Sequence, residues 1–326
     1  MLITRTPFRI SFFGGGTDFY DYFSKHGGCV LSTTIDKYCY VTVRHLPPFF
    51  DYKNQITYSK IERFSNPDEL QHPLVRAALK YIPTDRIQIA YDADLPACSG
   101  IGSSSAFAVG LVQSLNALKG VYPDKMTLAK EAIHLERVMC SEAGGVQDQI
   151  AASFGGFNRI SFDANGYNVT PIDITEQTKT RLRDNLLLAF TGFTHFAGEI
   201  SVVHQNNIPK TISQLDEMKS LVTEAENILI SGKTDDFGLL LDHTWRLKRT
   251  LSDSISNSDI DELYKKSKEN GALGGKLLGA GGGGFLLLYV PQEKQNEFKE
   301  KMNMLKFVPF DFENTGTSII FNNDKK

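Results

Sequence analysis

The sequence has little of several features that would assign it to particular protein classes. Its four cysteines are scattered and none forms a CxxC pair; they are Cys29, Cys39, Cys98 and Cys140. A disulfide framework or a zinc site is therefore not expected, and we predict reduced cysteines in the core. No apolar run reaches about 18 residues and no signal-peptide pattern is present, so we expect no membrane partner and a cytoplasmic location.

A strong charge of one sign is also lacking. The chain has 35 Lys and Arg residues against 38 Asp and Glu residues, a net charge of -3, and no long basic block. Nucleic acid is therefore not an expected partner, and a small molecule is favoured. With 326 residues, of which 41% are apolar, the chain can bury two ordinary cores. We expect two domains and a monomer or homodimer.

Strand-like and helix-like segments alternate irregularly along the chain. We predict strands over residues 9–13, 39–45, 87–91, 157–162, 186–190, 285–290 and 318–321, and helices over residues 70–81, 104–118, 127–139 and within 212–268. This pattern predicts an α+β fold and does not require a doubly wound parallel sheet. The polar segment 174–184 predicts a boundary between an N-terminal domain, residues 1–178, and a C-terminal domain, residues 179–326.

The stretch "GIGSSSA", residues 100–106, combines flexibility with the start of an apolar helix. Its glycines let the backbone approach a ligand closely, and amide groups at a helix N-terminus bind anions. We therefore interpret it as a phosphate site. The alternative is a plain Ser-capped helix after a glycine turn.

Two other stretches imitate nucleotide motifs. "GAGGGGFLLLYV", residues 279–290, contains GxGxxG, but a strand follows the glycines where the dinucleotide fingerprint needs a helix. "DDFG", residues 235–238, resembles a protein-kinase motif, but no HRD catalytic loop exists, and a helix turn is the better interpretation. No GxxxxGK[ST] phosphate loop is present.

A third glycine-rich stretch, "RTPFRISFFGGGTD", occupies residues 5–18. In this stretch a strand that carries Arg9 runs into three glycines and then into the carboxylate of Asp18. By itself this is a weak signal, and an edge strand that enters a turn is the better interpretation of the stretch alone.

The three stretches occur in an order that resembles the GHMP kinase superfamily, which includes galactokinases, homoserine kinases and mevalonate kinases. The resemblance spans nearly the whole chain, and the PxxxGxGSSxA pattern at residues 96–106 is its most specific part. It implies a two-domain α+β fold with an N-terminal α/β domain, a ferredoxin-like C-terminal domain and the active site in the cleft between them. It also implies ATP and Mg²⁺ as cofactors.

The resemblance implies roles for individual residues. ATP phosphates would lie on the loop that contains Pro96, Ser99, Gly100, Gly102, Ser103, Ser104 and Ser105. Ser104 and Glu136 would hold magnesium, which needs few protein ligands beside phosphates and water. Without the family, Glu136 would be interpreted as a solvated helix charge.

Asp148, in "GGVQDQIAASFGG", falls where the family has its catalytic aspartate, and Arg9 falls where the galactokinase branch has an arginine beside it. Without the family, Asp148 would be an ordinary carboxylate at a helix N-terminus. The predicted substrate-binding residues are Gly15, Gly16, Thr17, Asp18, Gly281 and Gly282.

The opening stretch is most similar to a sugar 1-kinase branch of the superfamily, which implies ATP-dependent phosphorylation of the anomeric hydroxyl of a heptose 7-phosphate. The alternatives are another sugar such as fucose, or a catalytically silent sugar and ATP sensor. Galactose is disfavoured by Gly15 and Gly16, and a mevalonate-type substrate by Arg9. A distal phosphate would need cations, for which the candidates are Lys37, His195, Arg246, Lys248 and Arg249; each singly is more compatible with a solvated surface charge.

Overall fold

The computed structural model describes residues 1–193 and 197–323, which form thirteen strands and eleven α-helices. The strands are β1 (Leu2–Phe13), β2 (Gly28–His45), β3 (Asn54–Thr57), β4 (Ile61–Phe64), β5 (Ile87–Ala93), β6 (Asn158–Asp163), β7 (Gly166–Pro171), β8 (Leu186–Phe190), β9 (Gly274–Leu277), β10 (Phe285–Tyr289), β11 (Lys306–Val308), β12 (Phe312–Glu313) and β13 (Ser318–Asn322). The helices are α1 (Tyr20–His26), α2 (Pro73–Tyr81), α3 (Ser103–Leu118), α4 (Lys125–Ile133), α5 (Gln147–Phe154), α6 (Glu176–Asp184), α7 (Ala197–Asn207), α8 (Ile212–Ser231), α9 (Thr234–Arg249), α10 (Ser258–Glu269) and α11 (Gln295–Lys301).

The first sheet is built around the long strand β2. β2 pairs antiparallel with β1 on one side and, on the other, with β6 through its first residues and with β5 through its last. The full order is β13-β1-β2-β5-β3-β4, with β6, β7 and β12 attached at β2, and only the β3–β5 pairing is parallel among the described strands. Helix α3 packs against β1 and β2, where its apolar residues are buried.

The second sheet has four antiparallel strands in the order β11-β8-β10-β9. Numbered along the chain within this sheet, the order is 4-1-3-2, and helices connect the first strand to the second and the third to the fourth. This is the ferredoxin-like arrangement that the resemblance implies. The α+β fold class with two sheets is therefore confirmed.

The predicted domain boundary does not lie in an extended linker. Residues 176–184 form α6, because Leu182 supplies an apolar anchor that is fully buried. Strands β12 and β13 pair with β2 and β1, so the end of the chain returns to the first sheet. The division at residue 178 stays a prediction.

The largest hydrophobic core continues from one sheet to the other. Phe12 and Phe13 of β1 contact the ring of Phe237 on α9 edge-on, with centroid distances of 5.3 and 5.0 Å. This contact packs the end of β1 against the C-terminal half of the chain. It places β1, on which Arg9 lies, at the junction of the two sheets.

All four cysteines are free, but they are not all in the core. Cys29 and Cys39 are buried and Cys140 is half-buried, whereas Cys98 is exposed. Cys98 has a φ of 57° in the loop before α3, and this turn directs it away from the core, so the prediction was wrong for that residue. None of the helices in the described part of the chain is long and apolar enough to cross a membrane.

Candidate active site

The phosphate-loop candidate ends at the start of α3, as predicted. Gly102 is the N-cap residue with a φ of 76°, and no side chain caps the helix. The plain Ser-capped helix is therefore wrong, since the hydroxyls of Ser104 and Ser105 bond elsewhere. The helix N-terminus leaves its first amide groups available to an anion.

The loop before α3 is held in shape by its own residues and by the second sheet. Ser99 is fully buried and its hydroxyl donates to the carbonyl of Pro96 at 2.6 Å. Gly100 has a φ of 82°, and a Cβ there would lie 2.4 Å from the carbonyl oxygen of Leu278. Any residue with a side chain at position 100 would push the loop away from the end of β9.

Glu136 lies beside this helix start. The predicted helix 127–139 is two elements: α4 ends at Ile133, and a π-helical turn, His134–Met139, follows. The turn aims the buried Glu136 carboxylate at α3, where it accepts from Ser104 Oγ at 2.9 Å, from Ser105 Oγ at 2.8 Å and from the Gln149 amide. Such π-turns interrupt helices at functional sites. The interpretation as a solvated helix charge is wrong, because Glu136 is 1% exposed.

Arg9 and Asp148 form a bidentate ion pair beside the loop. Arg9 Nε and Nη2 donate to the two oxygens of Asp148, both at 2.7 Å, and Nη1 donates to the carbonyl of Gly100 at 2.7 Å. A Cβ on Gly102 would lie 3.2 Å from Arg9 Cγ and 3.4 Å from Asp148 Oδ2. The pair, predicted from positions 139 residues apart, therefore touches the phosphate loop directly.

The residues of the "GGGTD" stretch have different roles. Thr17 is fully buried and its hydroxyl bonds only to the backbone, at Gly14 and Cys29, so it supports the turn. Asp18 accepts from the amides of Gly16 and Gln147 and is 2% exposed. Burial, and next the charge of Asp148, raise the pKa of Asp18. Gly15 and Gly16 remain partly exposed beside it.

The late glycine stretch packs over the phosphate loop. A Cβ on Gly279 would lie 2.5 Å from Gly100 Cα, and a Cβ on Gly284 would lie 2.3 Å from the carbonyl oxygen of Ser99. Gly281 packs against Ile255, and the Gly282 amide donates to the Ile255 carbonyl. A substrate-binding role for Gly281 and Gly282 stays a prediction.

Of the cations considered for a distal phosphate, only Lys248 is buried among the described residues. Lys37 pairs with Asp36, Arg246 with Asp242 and Arg249 with Asp261, while His195 lies outside the described residues. Lys248 is 8% exposed and donates to the carbonyls of Leu277 and Gly279 at 3.0 and 2.6 Å. Burial, and next the Arg9 charge, lower its pKa to about 7.

A second lysine, Lys276, is also buried, although no sequence pattern indicates it. It lies on β9, is 3% exposed, and donates to the carbonyls of Ser11 and Phe12, both at 2.9 Å. Its pKa is well below the usual value, mainly because of burial and then because of the charges of Lys248 and Arg9. The charges of Arg9, Lys248, Lys276, Asp18 and Asp148 are thus coupled at this junction.

His204 is another buried residue that no sequence pattern indicated. It lies on α7, with its ring 4.8 Å from that of Phe19 and its Nε2 3.0 Å from the position of a Cβ on Gly16. Burial, and next the Lys248 charge, lower the pKa of His204 from 6.5 to about 4.

The lowered pKa of His204 predicts that the folded protein loses stability at acid pH. Between pH 6.5 and pH 4 the unfolded chain binds a proton at His204 that the folded chain does not, so the free energy of unfolding falls as the pH falls. The loss at pH 5 is about 2 kcal/mol. We expect His204→Gln to lose less stability than the wild type between pH 7 and pH 5 in urea denaturation. The exposed His243, changed to Gln, is the control, and equal losses in all three proteins would contradict the assignment.

Comparison with known proteins agrees with this geometry. Residues 73–156 match the family described as GHMP kinases N terminal domain, and residues 212–304 match GHMP kinases C terminal. A D-glycero-alpha-D-manno-heptose 7-phosphate kinase from Campylobacter jejuni is 31% identical over 91% of both chains. A bifunctional fucokinase/GDP-fucose pyrophosphorylase from Arabidopsis thaliana is 26% identical over 91% of this chain, which spans only 30% of that protein.

Solved structures share the fold. A D-glycero-D-manno-heptose 1-phosphate kinase from Bacteroides thetaiotaomicron superposes with a TM-score of 0.82 at 22% identity, covering 99% of this chain and 100% of that one. Lactococcus lactis galactokinase gives a TM-score of 0.74 at 17% identity, covering 97% of this chain and 94% of that one. The two family matches, the 31% identical relative and the loop–helix site together establish that this chain belongs to the GHMP kinases, a family of ATP-dependent phosphotransferases.

Proposed function

We propose that this kinase phosphorylates the anomeric hydroxyl of D-glycero-D-manno-heptose 7-phosphate with ATP and gives the 1,7-bisphosphate, a precursor of nucleotide-activated heptose for surface polysaccharide. The observation that carries the phosphoryl-transfer chemistry is the Arg9–Asp148 pair in contact with Gly102. The choice of sugar is supported by the heptose 7-phosphate kinase relative.

The transfer needs alignment and charge neutralisation more than covalent help. The amides at the start of α3 bind the ATP phosphates, and Arg9 and Lys248 supply positive charge beside them. The Arg9 guanidinium, which donates to the carbonyl of Gly100, places a fixed positive charge beside the loop, and this favours anionic substrates. Lys248 is our candidate for the contact with the distal phosphate of the sugar, because Lys37, Arg246 and Arg249 are each paired with a carboxylate.

Asp148 is the proton acceptor. As the anomeric oxygen forms its bond to the γ-phosphorus and the bond to the ADP oxygen breaks, Asp148 takes the hydroxyl proton late in the transfer. Its oxygens are fixed by Arg9, so it also orients the hydroxyl. General-base assistance of this kind contributes about 10²–10⁴ in rate.

Glu136 and Ser104 fit the magnesium role. Mg²⁺ takes most of its ligands from phosphates and water, so one hydroxyl and one carboxylate of the protein are enough to hold it. Glu136 is buried, and its hydrogen bonds come from the uncharged side chains of Ser104, Ser105 and Gln149. When bound, Mg²⁺ neutralises phosphate oxygens.

One alternative sugar has specific support. The fucokinase relative from Arabidopsis thaliana supports fucose. A kinase for fucose would use the same phosphate loop and the same Asp148. A silent sensor is disfavoured, because Arg9, Glu136 and Asp148 are all in place.

The test is an ADP-release assay over a panel of sugars. We expect the highest kcat/KM for D-glycero-D-manno-heptose 7-phosphate, with lower values for mannose 6-phosphate, for the unphosphorylated heptose and for L-fucose. Product analysis should place the new phosphate at the anomeric carbon. A higher kcat/KM for L-fucose would overturn the choice of sugar, and the absence of turnover across the panel would overturn the enzymatic proposal.

A further inference from the structure

Three buried side chains next to Gly15 and Gly16 carry four polar atoms without a partner. They are Ser11 Oγ, Gln147 Oε1 and both ring nitrogens of His204, none of which has a hydrogen-bond partner in the part of the chain that the structure describes. The three residues are 6%, 8% and 7% exposed, respectively. Buried polar atoms are normally paired. A group of unpaired ones at one place indicates a ligand that pairs them.

The three side chains surround the same two glycines. A Cβ on Gly15 would lie 3.7 Å from both Ser11 Oγ and Gln147 Nε2, and one on Gly16 would lie 3.0 Å from His204 Nε2. Ser11 belongs to β1 and Gln147 to α5, whereas His204 belongs to α7 in the C-terminal half. The cluster therefore spans the junction between the two halves of the chain.

The surrounding side chains hydrogen-bond to the backbone of this cluster and leave its side-chain polar atoms unbonded. Asp18 accepts from the backbone amide of Gln147 at 3.2 Å and from that of Gly16 at 2.9 Å, which ties the glycine turn to the start of α5. Lys276 bonds the carbonyl of Ser11 and leaves its hydroxyl free. The backbones are anchored while the side-chain groups remain available.

The chemistry of the cluster suits hydroxyl groups. A hydroxyl, a carboxamide and an imidazole each offer a donor and an acceptor, and so does each hydroxyl of a sugar. The ring of His204 is neutral at pH 7, because its pKa is about 4. Neutral groups bind a phosphate less well than cations do, so the cluster fits the polyhydroxyl part of the substrate rather than its phosphate.

We propose that Ser11, Gln147 and His204 form the sugar-hydroxyl recognition site and select the sugar. Gln147 and Asp148 both lie in the first turn of α5, so a sugar held by this cluster lies near the proton acceptor. Ser11 lies two residues after Arg9 and therefore points to the same face of β1. The inference rests on the proposed function and adds the residues that determine its specificity.

The test uses Ser11→Ala and His204→Phe, with sugar kinetics and thermal unfolding measured on the same preparations. We expect the KM for the best sugar of the panel to rise about tenfold in each variant, and the KM for ATP to change less than twofold. Melting temperatures without sugar should stay equal or rise, since each change removes an unpaired buried polar group. His204→Gln should recover part of the sugar affinity, and the exposed His243→Gln should behave as the wild type.

Two results would overturn the inference alone. One is a wild-type KM for the sugar in both Ser11→Ala and His204→Phe. The other is a lower melting temperature with equal losses for sugar and ATP, which is what a structural role predicts. If the wild type phosphorylates no sugar, the proposed function fails and this inference fails with it. The wild-type panel therefore separates the two failures.

Discussion

Asp148→Asn should lower kcat by about 10²–10⁴-fold and leave the KM values for ATP and sugar within a few fold of the wild type. Asparagine keeps the size of the side chain and one oxygen for Arg9, but it cannot accept the hydroxyl proton. The side chain therefore keeps its size beside Gly102, and we expect little change in the binding of either substrate. Steady-state kinetics by ADP release measures the change.

Two further variants separate proton transfer from mere support of Arg9. Arg9→Lys keeps a cation next to Asp148 but loses the bidentate contact and the bond to Gly100. If Asp148 serves only to hold Arg9, Arg9→Lys should be as slow as Asp148→Asn; we expect it to be faster. Asp253→Asn, on an exposed turn, is the matched control. A kcat for Asp148→Asn within threefold of the control would remove Asp148 from the proposed mechanism.

Glu136→Gln is the second large effect that we expect. The substitution removes the buried negative charge that accepts from Ser104, Ser105 and Gln149. The Mg²⁺ concentration for half-maximal activity should rise by about tenfold to 100-fold, because even residues that only orient a metal ligand have effects of that size. The measurement is a Mg²⁺ titration at saturating ATP and sugar.

The matched control is Glu131→Gln, on α4. The Glu131 carboxylate accepts a hydrogen bond of 2.9 Å from Asn116, which lies at the end of α3 opposite the phosphate loop. It should leave the Mg²⁺ titration unchanged. Ser104→Ala should shift the titration in the same direction as Glu136→Gln, but less. If Glu136→Gln and Glu131→Gln give the same Mg²⁺ titration while both fold, Glu136 is a structural residue.

Parts of the fold could be predicted because their signals are local. The apolar run after Ser105 fixes the position of α3, and the run from Phe285 fixes β10. A strand was predicted over residues 318–321, where β13 lies, but its pairing partner was not, because the partner is distant in sequence. β12 and β13 join the first sheet only after the chain has passed through the whole second sheet. Residues 174–184 were predicted as a boundary because their composition is polar, yet residues 176–184 form α6, which buries Thr178 and Leu182.

The same distinction applies to the candidate site. Ser11 could have been found, because strand alternation places it on the face of Arg9, and Gln147 is adjacent to Asp148. His204 and Lys276 carry no local signal. Lys248 was predicted with four other cations, each compatible with a surface charge, and only its depth in the structure distinguishes it.

By itself, the sequence determined the local parts: a glycine-rich coil that opens a helix, a carboxylate in the first turn of α5, and a family resemblance that connects them. These follow from backbone freedom and from the residues within a few positions of each other. The tertiary structure alone decided which polar groups share a buried space, and hence that His204 meets Gly16, that Lys276 meets the end of β1, and that Lys248 meets Gly279. Burial and charge coupling depend on distances through space. Segments more than a hundred residues apart in the sequence meet only when both sheets have formed.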